Sequence, residues 1–152
     1  MKKFIKTFES FEEPRSIVAW YTSFGPVESF KPVPSWFTTD REFAEAYHQN
    51  SLDKGADVLT YEVEVRGDIR SESSARRLAE ELGVDFESLV TDLTSNPTQS
   101  ERLELVEPFI DQCDGFFHWD YDPRDWGDGE SLLVFDPSRH VRIVRDASGD
   151  FR

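Results

Sequence analysis

The chain reads as an α+β fold with mostly antiparallel strand pairing, and three observations lead there. Strand-like segments flank a block of helical ones, whereas a parallel doubly wound sheet would alternate the two. Residues 58–66 alternate cleanly, with Tyr61, Val63 and Val65 on one side and Thr60, Glu62, Glu64 and Arg66 on the other. That is the pattern of a half-buried strand. Residues 74–112 instead carry apolar residues at helical spacing, broken by a glycine and prolines that punctuate helices.

Residues 1–15 form an N-terminal arm or short helix, with Phe4, Ile5, Phe8 and Phe11 at near-helical spacing until Pro14 ends it. Residues 16–152 then form a single domain. Ser16 to Thr22 is a buried strand, and Gly25, Pro26, Pro32 and Pro34 punctuate an extended loop. Trp36 to Thr38 is a brief strand that turns into a helix ending near Asn50. Thr39 N-caps this helix and Glu42, three residues on, completes a capping box. The two threonines therefore lie at a helix N-terminus, whose outward N–H groups favour anions. Phe43, Ala44 and Tyr47 share one helix face. Such an arrangement can hold a phosphorylated, aromatic-ringed ligand; the same pattern also serves a capped helix with Phe43 and Tyr47 in the core.

Further along, Ser74 to Leu82 is a helix stopped by Gly83, and Asp85 caps a second one carrying Phe86, Leu89, Val90 and Leu93. Thr98 and Glu101 make a capping box for a third helix, which Pro108 kinks or splits. Phe116 to Trp119 is a compact aromatic strand, Asp120 to Glu130 an acidic loop, Ser131 to Phe135 a buried strand and Val141 to Val144 a last strand.

Composition excludes several functions. With 152 residues, 38% hydrophobic and 14% aromatic, the chain has enough apolar matter for a core. No apolar run approaches the roughly 18 residues that span a bilayer, and no membrane partner is expected. A single cysteine, Cys113, leaves no internal disulfide framework or thiolate-rich zinc site, so a buried thiol and a cytoplasmic location are the expectation. The net charge of −14 repels nucleic-acid phosphates. The candidates for a basic patch are Arg76-Arg77 and the run Arg139, His140, Arg142, Arg145, neither interleaved with aromatics. No direct nucleic-acid binding is expected, whereas an acidic surface can attract a basic protein or imitate nucleic acid. The acidic loop fails as an EF-hand because its fifth and sixth positions are Arg124 and Asp125. His48, His118 and His140 lack ligand spacing, and no metal site is expected. Phosphate-binding loops, dinucleotide glycine motifs and serine nucleophile elbows are absent. Asp128 and Glu130, two apart before a buried strand, can stabilise a developing cation or hold a ribose hydroxyl.

Taken in order, these pieces resemble the ADP-ribosyltransferase family over roughly residues 17–145. The matching steps are Trp20-Tyr21-Thr22-Ser23, Trp36-Phe37-Thr38-Thr39, Ala44-Glu45-Ala46-Tyr47, the alternating strand 58–65, Asp114-Gly115-Phe116, and Leu132-Leu133-Val134-Phe135-Asp136-Pro137 after an acidic loop. The layout is similar to small phage-borne transferases, including an anti-CRISPR of that fold. The resemblance implies a pair of mainly antiparallel sheets forming a cleft, with a helical insert. It implies NAD as substrate and a host protein as the target of ADP-ribose transfer, as in a host-modifying or anti-defence factor. On it, Tyr21 stands where the family has His or Arg against the adenosine ribose, with Thr22 and Ser23 on the same strand end. Thr38 and Thr39 match the hydroxyl step supporting the cleft, and Tyr47 the tyrosine stacked on nicotinamide. Glu130 matches the catalytic glutamate, with Ser131 the neighbouring register, and Asp128 the upstream acidic residue. The alternatives are a catalytically inactive relative that binds a partner, and an acidic nucleic-acid mimic on an unrelated fold that binds a basic protein.

Overall fold

The computed structural model describes residues 16–95, 97–122 and 127–151. The expected N-terminal arm and the tip of the acidic segment lie outside the described residues. Seven strands are β1 (Ile17–Ser23), β2 (Ser35–Thr38), β3 (Leu59–Val65), β4 (Ile69–Arg70), β5 (Gly115–Asp122), β6 (Gly127–Val134) and β7 (Val141–Asp146). Five helices accompany them among the described residues: α1 (Arg41–Asp53), α2 (Glu72–Leu82), α3 (Phe86–Thr94), α4 (Gln99–Val106) and the short α5 (Pro137–His140).

Hydrogen bonding joins all seven strands in one curled sheet, in the order β4-β5-β6-β2-β1-β3-β7. Only β4 and β5 run parallel; the other pairs are antiparallel. The mixed, mainly antiparallel α+β class expected from the sequence is what forms. The expected pair of sheets is instead one sheet with a narrow seam. β1 meets β2 at the single registered pair Trp20↔Thr38, while β1 and β3 register from Ile17↔Val65 to Ser23↔Leu59. Beyond the seam, ring contacts take over from backbone bonds. Tyr21 lies 5.2 Å from Phe37 and 5.2 Å from Phe30 of the 24–34 loop, and Phe30 lies 5.4 Å from Phe37.

Alternation along the strands sends residues to two cores. Ala19, Phe37, Tyr61, Val63, Val65, Leu132 and Val134 pack together on one face. On the opposite face Leu133 and Phe116 pack under α2, α3 and α4 with Ala75, Leu78, Phe86, Leu89 and Phe109. Beside them, Ala44 of α1 packs with Ala147, Phe151 and Trp20.

Local signals set most helix ends. Gly83 adopts φ 73° and closes α2 in the left-handed region that favours glycine. Asp85 caps α3, and the Thr98–Glu101 capping box opens α4. Pro108 splits the third helix, since α4 ends at Val106 and a 3₁₀ turn, Glu107–Phe109, follows. Two expectations need correction, and one strand was not foreseen. The N-cap of α1 is Asp40, whose carboxylate accepts from the Glu42 and Phe43 amides at 3.0 and 3.3 Å; Thr39 has another partner. The acidic segment is largely a hairpin, paired as far as Asp122↔Gly127, because cross-strand bonding to a partner already aligned by Phe116–Trp119 outweighs the poor strand propensity of Asp and Gly. Finally, Ile69–Arg70 forms a two-residue strand beside Gly115 and Phe116. No helix among the described residues is long and apolar enough to cross a membrane.

Candidate functional site

The end of β2 and the middle of β6 bring together residues far apart in sequence. Thr38, the last residue of β2, registers with Ser131. Its hydroxyl donates to the Glu130 carbonyl oxygen at 2.6 Å, and the Thr39 amide donates to the same oxygen at 3.2 Å. The Thr39 hydroxyl donates to Glu130 Oε1 at 2.6 Å across 91 positions of sequence. The Asp40 amide donates to Thr38 Oγ1 at 3.1 Å, closing the turn into α1. Thr38 is buried and Glu130 half-buried.

Each link has a local cause. Because Asp40 caps α1, the Thr39 hydroxyl is released from capping and can reach the carboxylate. An O–H···O⁻ bond of this length is charge-assisted and holds its acceptor in one orientation. Gly129, next to Glu130, permits close packing of α1 on β6: a Cβ there would lie 2.6 Å from Phe43 Cγ. The result is a carboxylate fixed by a hydroxyl at the start of a helix. Chemically it can stabilise positive charge developing on a neighbouring group, or accept a proton or a hydroxyl hydrogen bond.

The same geometry alters the reading of the helix N-terminus as an anion site. Two of the outward amides are already taken by the Asp40 carboxylate. An anion arriving there meets a fixed negative charge, so this helix end is not a phosphate cradle.

The other residues singled out in sequence sit as follows. Tyr21 belongs to the ring cluster with Phe30 and Phe37. Burial pushes its hydroxyl pKa up, and the Arg102 charge draws it partly back. Thr22 hydrogen-bonds Thr60, Oγ1 to Oγ1, at 2.8 Å. Ser23 Oγ accepts from the Gly25 amide at 3.3 Å and shapes the turn after β1. Tyr47, one turn beyond Phe43, is half-buried; burial raises its pKa and the nearby Tyr21 adds to the rise. Tyr47 thus neighbours Tyr21, while the hydrogen bonds to Glu130 come from Thr38 and Thr39. Asp128 lies in β6 opposite Tyr121; its carboxylate is outside the described atoms.

Two surface depressions lie elsewhere. One, of about 540 Å³, is lined by Asp92, Ser95, Pro97, Glu101, Glu104 and Leu105. The other, of about 370 Å³, is lined by Glu64, Arg66, Arg139, His140, Val141 and Arg142. Cys113 is buried, and loss of solvent pushes its thiol up to about 11, which makes it a poor nucleophile at neutral pH.

Sequence reading missed two groups. His48, 1% exposed, bonds Thr60 through Nδ1 at 2.7 Å and locks α1 to β3. Arg66 joins the C-terminal arginine run at one surface. The second was only partly recoverable: Glu62 and Glu64 are two apart on one strand, whereas Arg142 and Arg145 are three apart on another, and a bulge between Glu62 and Val63 takes up the extra residue. Opposite charges facing each other across neighbouring strands favour that pairing. The structure pairs Glu64 with Arg142 and Glu62 with Arg145.

No family model, curated protein or solved structure matches this chain.

Proposed function

We propose that the chain is a mono-ADP-ribosyltransferase that uses NAD as substrate and a protein as acceptor, with Glu130 as the catalytic carboxylate. The observation that carries this reading is the 2.6 Å bond from the Thr39 hydroxyl to Glu130 Oε1, on the strand-to-helix step that resembles the family. In the reaction the bond from the ribose carbon to the nicotinamide nitrogen breaks. A bond from that carbon to the acceptor nucleophile forms, nicotinamide leaves, and the nucleophile gives up its proton. The carbon is cation-like between the two events, and a held carboxylate stabilises it without reorganising. Thr39 acts through Glu130 as a positioning residue. Thr38 ties down the backbone on which Glu130 stands. The mainly antiparallel α+β class with a helical insert is compatible with the resemblance. A host protein as target, and an origin in a phage, rest on the resemblance.

The test is mass spectrometry of host proteins after incubation with the chain and NAD. Glu130→Gln keeps the side-chain size and its hydrogen-bonding oxygen but removes the charge. Transfer is expected to fall by about 10²–10³, equivalent to about 2.7–4 kcal/mol in the barrier, with an unchanged circular dichroism spectrum. Undiminished labelling by Glu130→Gln would reject the assignment.

A second reading is favoured by the placement of Tyr21 and Asp40. Tyr21 is engaged with Phe30 and Phe37 where the family has His or Arg, and Asp40 occupies the amides of the helix end. On this reading the chain is an inactive relative that binds a basic protein through its acidic surface. It predicts no NAD cleavage by the wild type, and a complex that weakens with salt and ignores Glu130→Gln.

A further inference from the structure

The depression at the β3–β7 end stands apart in charge from the rest of the chain. Arg66, Arg139 and Arg142 line it with His140, against the one carboxylate of Glu64, in a protein whose net charge is −14. Glu64 Oε1 is shared, 3.3 Å from Arg66 Nε and 3.3 Å from Arg142 Nη2. One carboxylate therefore answers two guanidiniums, and Arg139 has no ion pair among the described residues. Partial desolvation raises the Glu64 carboxyl, but the hydrogen bond and charge of Arg142, then the charge of Arg66, outweigh it and hold it below its ordinary pKa. His140 adds little binding capacity, because Nδ1 lies 2.9 Å from the Arg66 carbonyl and Nε2 3.4 Å from Asp114. Those two contacts fix the ring and, with it, the α5–β7 junction on which Arg139 and Arg142 stand. The Arg66 amide likewise donates to the His140 carbonyl at 2.9 Å, so the strands presenting the arginines are joined at the floor.

We propose that the Arg66–Arg139–Arg142 depression is a binding site for a compact phosphorylated small molecule. Guanidiniums match phosphate oxygens with paired N–H donors, and several converging on one hollow favour a multiply charged oxyanion over a monocarboxylate. The volume suits a phosphate or diphosphate with part of the group it is attached to. Net charge argues for a compact ligand over a strand. A polynucleotide would extend beyond the arginines into the field of the acidic surface, whereas a small anion stays within about one Debye length, roughly 8 Å, of them. The site is distinct from Thr39 and Glu130, and its occupancy does not depend on the transferase reading.

The experiment is calorimetric titration of inorganic pyrophosphate into the full chain at physiological ionic strength. One-to-one saturable binding is expected. The double variant Arg139→Gln, Arg142→Gln should weaken it by about tenfold or more, while Glu130→Gln should leave it unchanged. Arg139→Gln alone should weaken it measurably with no change in thermal stability, since Arg139 makes no ion pair among the described residues. Absence of saturable binding at millimolar pyrophosphate would overturn the proposal, as would equal binding by the double variant. Tighter binding of a single-stranded oligonucleotide at the same arginines would overturn the compact-ligand assignment.

Discussion

Under α2, α3 and α4 the sheet meets mainly a cluster of rings, with His118 bonded to Glu72 at its rim, whereas under α1 it meets buried hydroxyls and a buried imidazole. Phe116, fully buried, lies 5.3 Å from Phe86, 6.2 Å from Phe109 and 6.0 Å from Phe135. Under α1, Thr60 bonds Thr22 and His48 through one oxygen, and its amide donates to Ser148 Oγ at 2.8 Å. The first flank gains stability from area, which is non-directional. The second gains position, because a buried hydroxyl is satisfied in few geometries and is costly when unsatisfied. It is the second flank that delivers Thr39 to Glu130. α1 is held on the sheet by buried directional bonds, and α2, α3 and α4 mainly by rings, with the Glu72 carboxylate of α2 adding bonds from His118 Nδ1 at 3.0 Å and the Trp119 amide at 2.8 Å at the rim.

The largest effect that could break this contrast is Phe116→Ala. It should cost about 3–5 kcal/mol in urea unfolding, as expected for a ring lost from a packed cluster. A cost below about 1 kcal/mol would show that the ring layer is not close-packed. Thr60→Val tests the other flank. It keeps the shape and removes the oxygen that Thr22 and His48 share, for an expected loss of about 1–3 kcal/mol. If the flank positions α1, the transfer activity proposed for Glu130 should also fall, whereas Phe116→Ala should leave that proposed activity intact in the folded fraction. Asp40→Ala gives the smallest effect, about 1 kcal/mol for a lost N-cap. The test is sharpened by Thr39, which should then compete for the freed amides and loosen its hold on Glu130. Unchanged activity in a destabilised Asp40→Ala would separate the cap from the site.

What could be read in the sequence was what is encoded within a few residues. The Thr98–Glu101 box, the Asp85 cap, the Gly83 stop and the alternation of Tyr61, Val63 and Val65 each carry their signal inside one turn or one strand. The strand Ile69–Arg70 was not legible, because two residues carry no period and their partner lies at Gly115. The hairpin through Asp120 and Gly127 was hidden by composition. At the start of α1, Thr39 and Asp40 are both acceptable caps, and the choice is settled by a carboxylate on another strand. The resemblance puts Thr39 and Glu130 in one cleft, but nothing in the sequence names the bond between them. No periodicity links residues 91 positions apart.

The order of strands also leaves the sheet with two outer margins, and each is guarded. β4 spans only Ile69–Arg70, too short to template another strand. β7 is longer, but it carries Arg142 and Arg145 and its pairing with β3 slips between Glu62 and Val63. Charge and a bulge on a border strand discourage a second chain from adding to it. Arg142, proposed to hold a phosphate, therefore has a second consequence: with Arg145 it keeps the β7 margin from becoming adhesive. Neutralising that pair, Arg142→Gln with Arg145→Gln, should give the form of this protein most prone to self-association at high concentration.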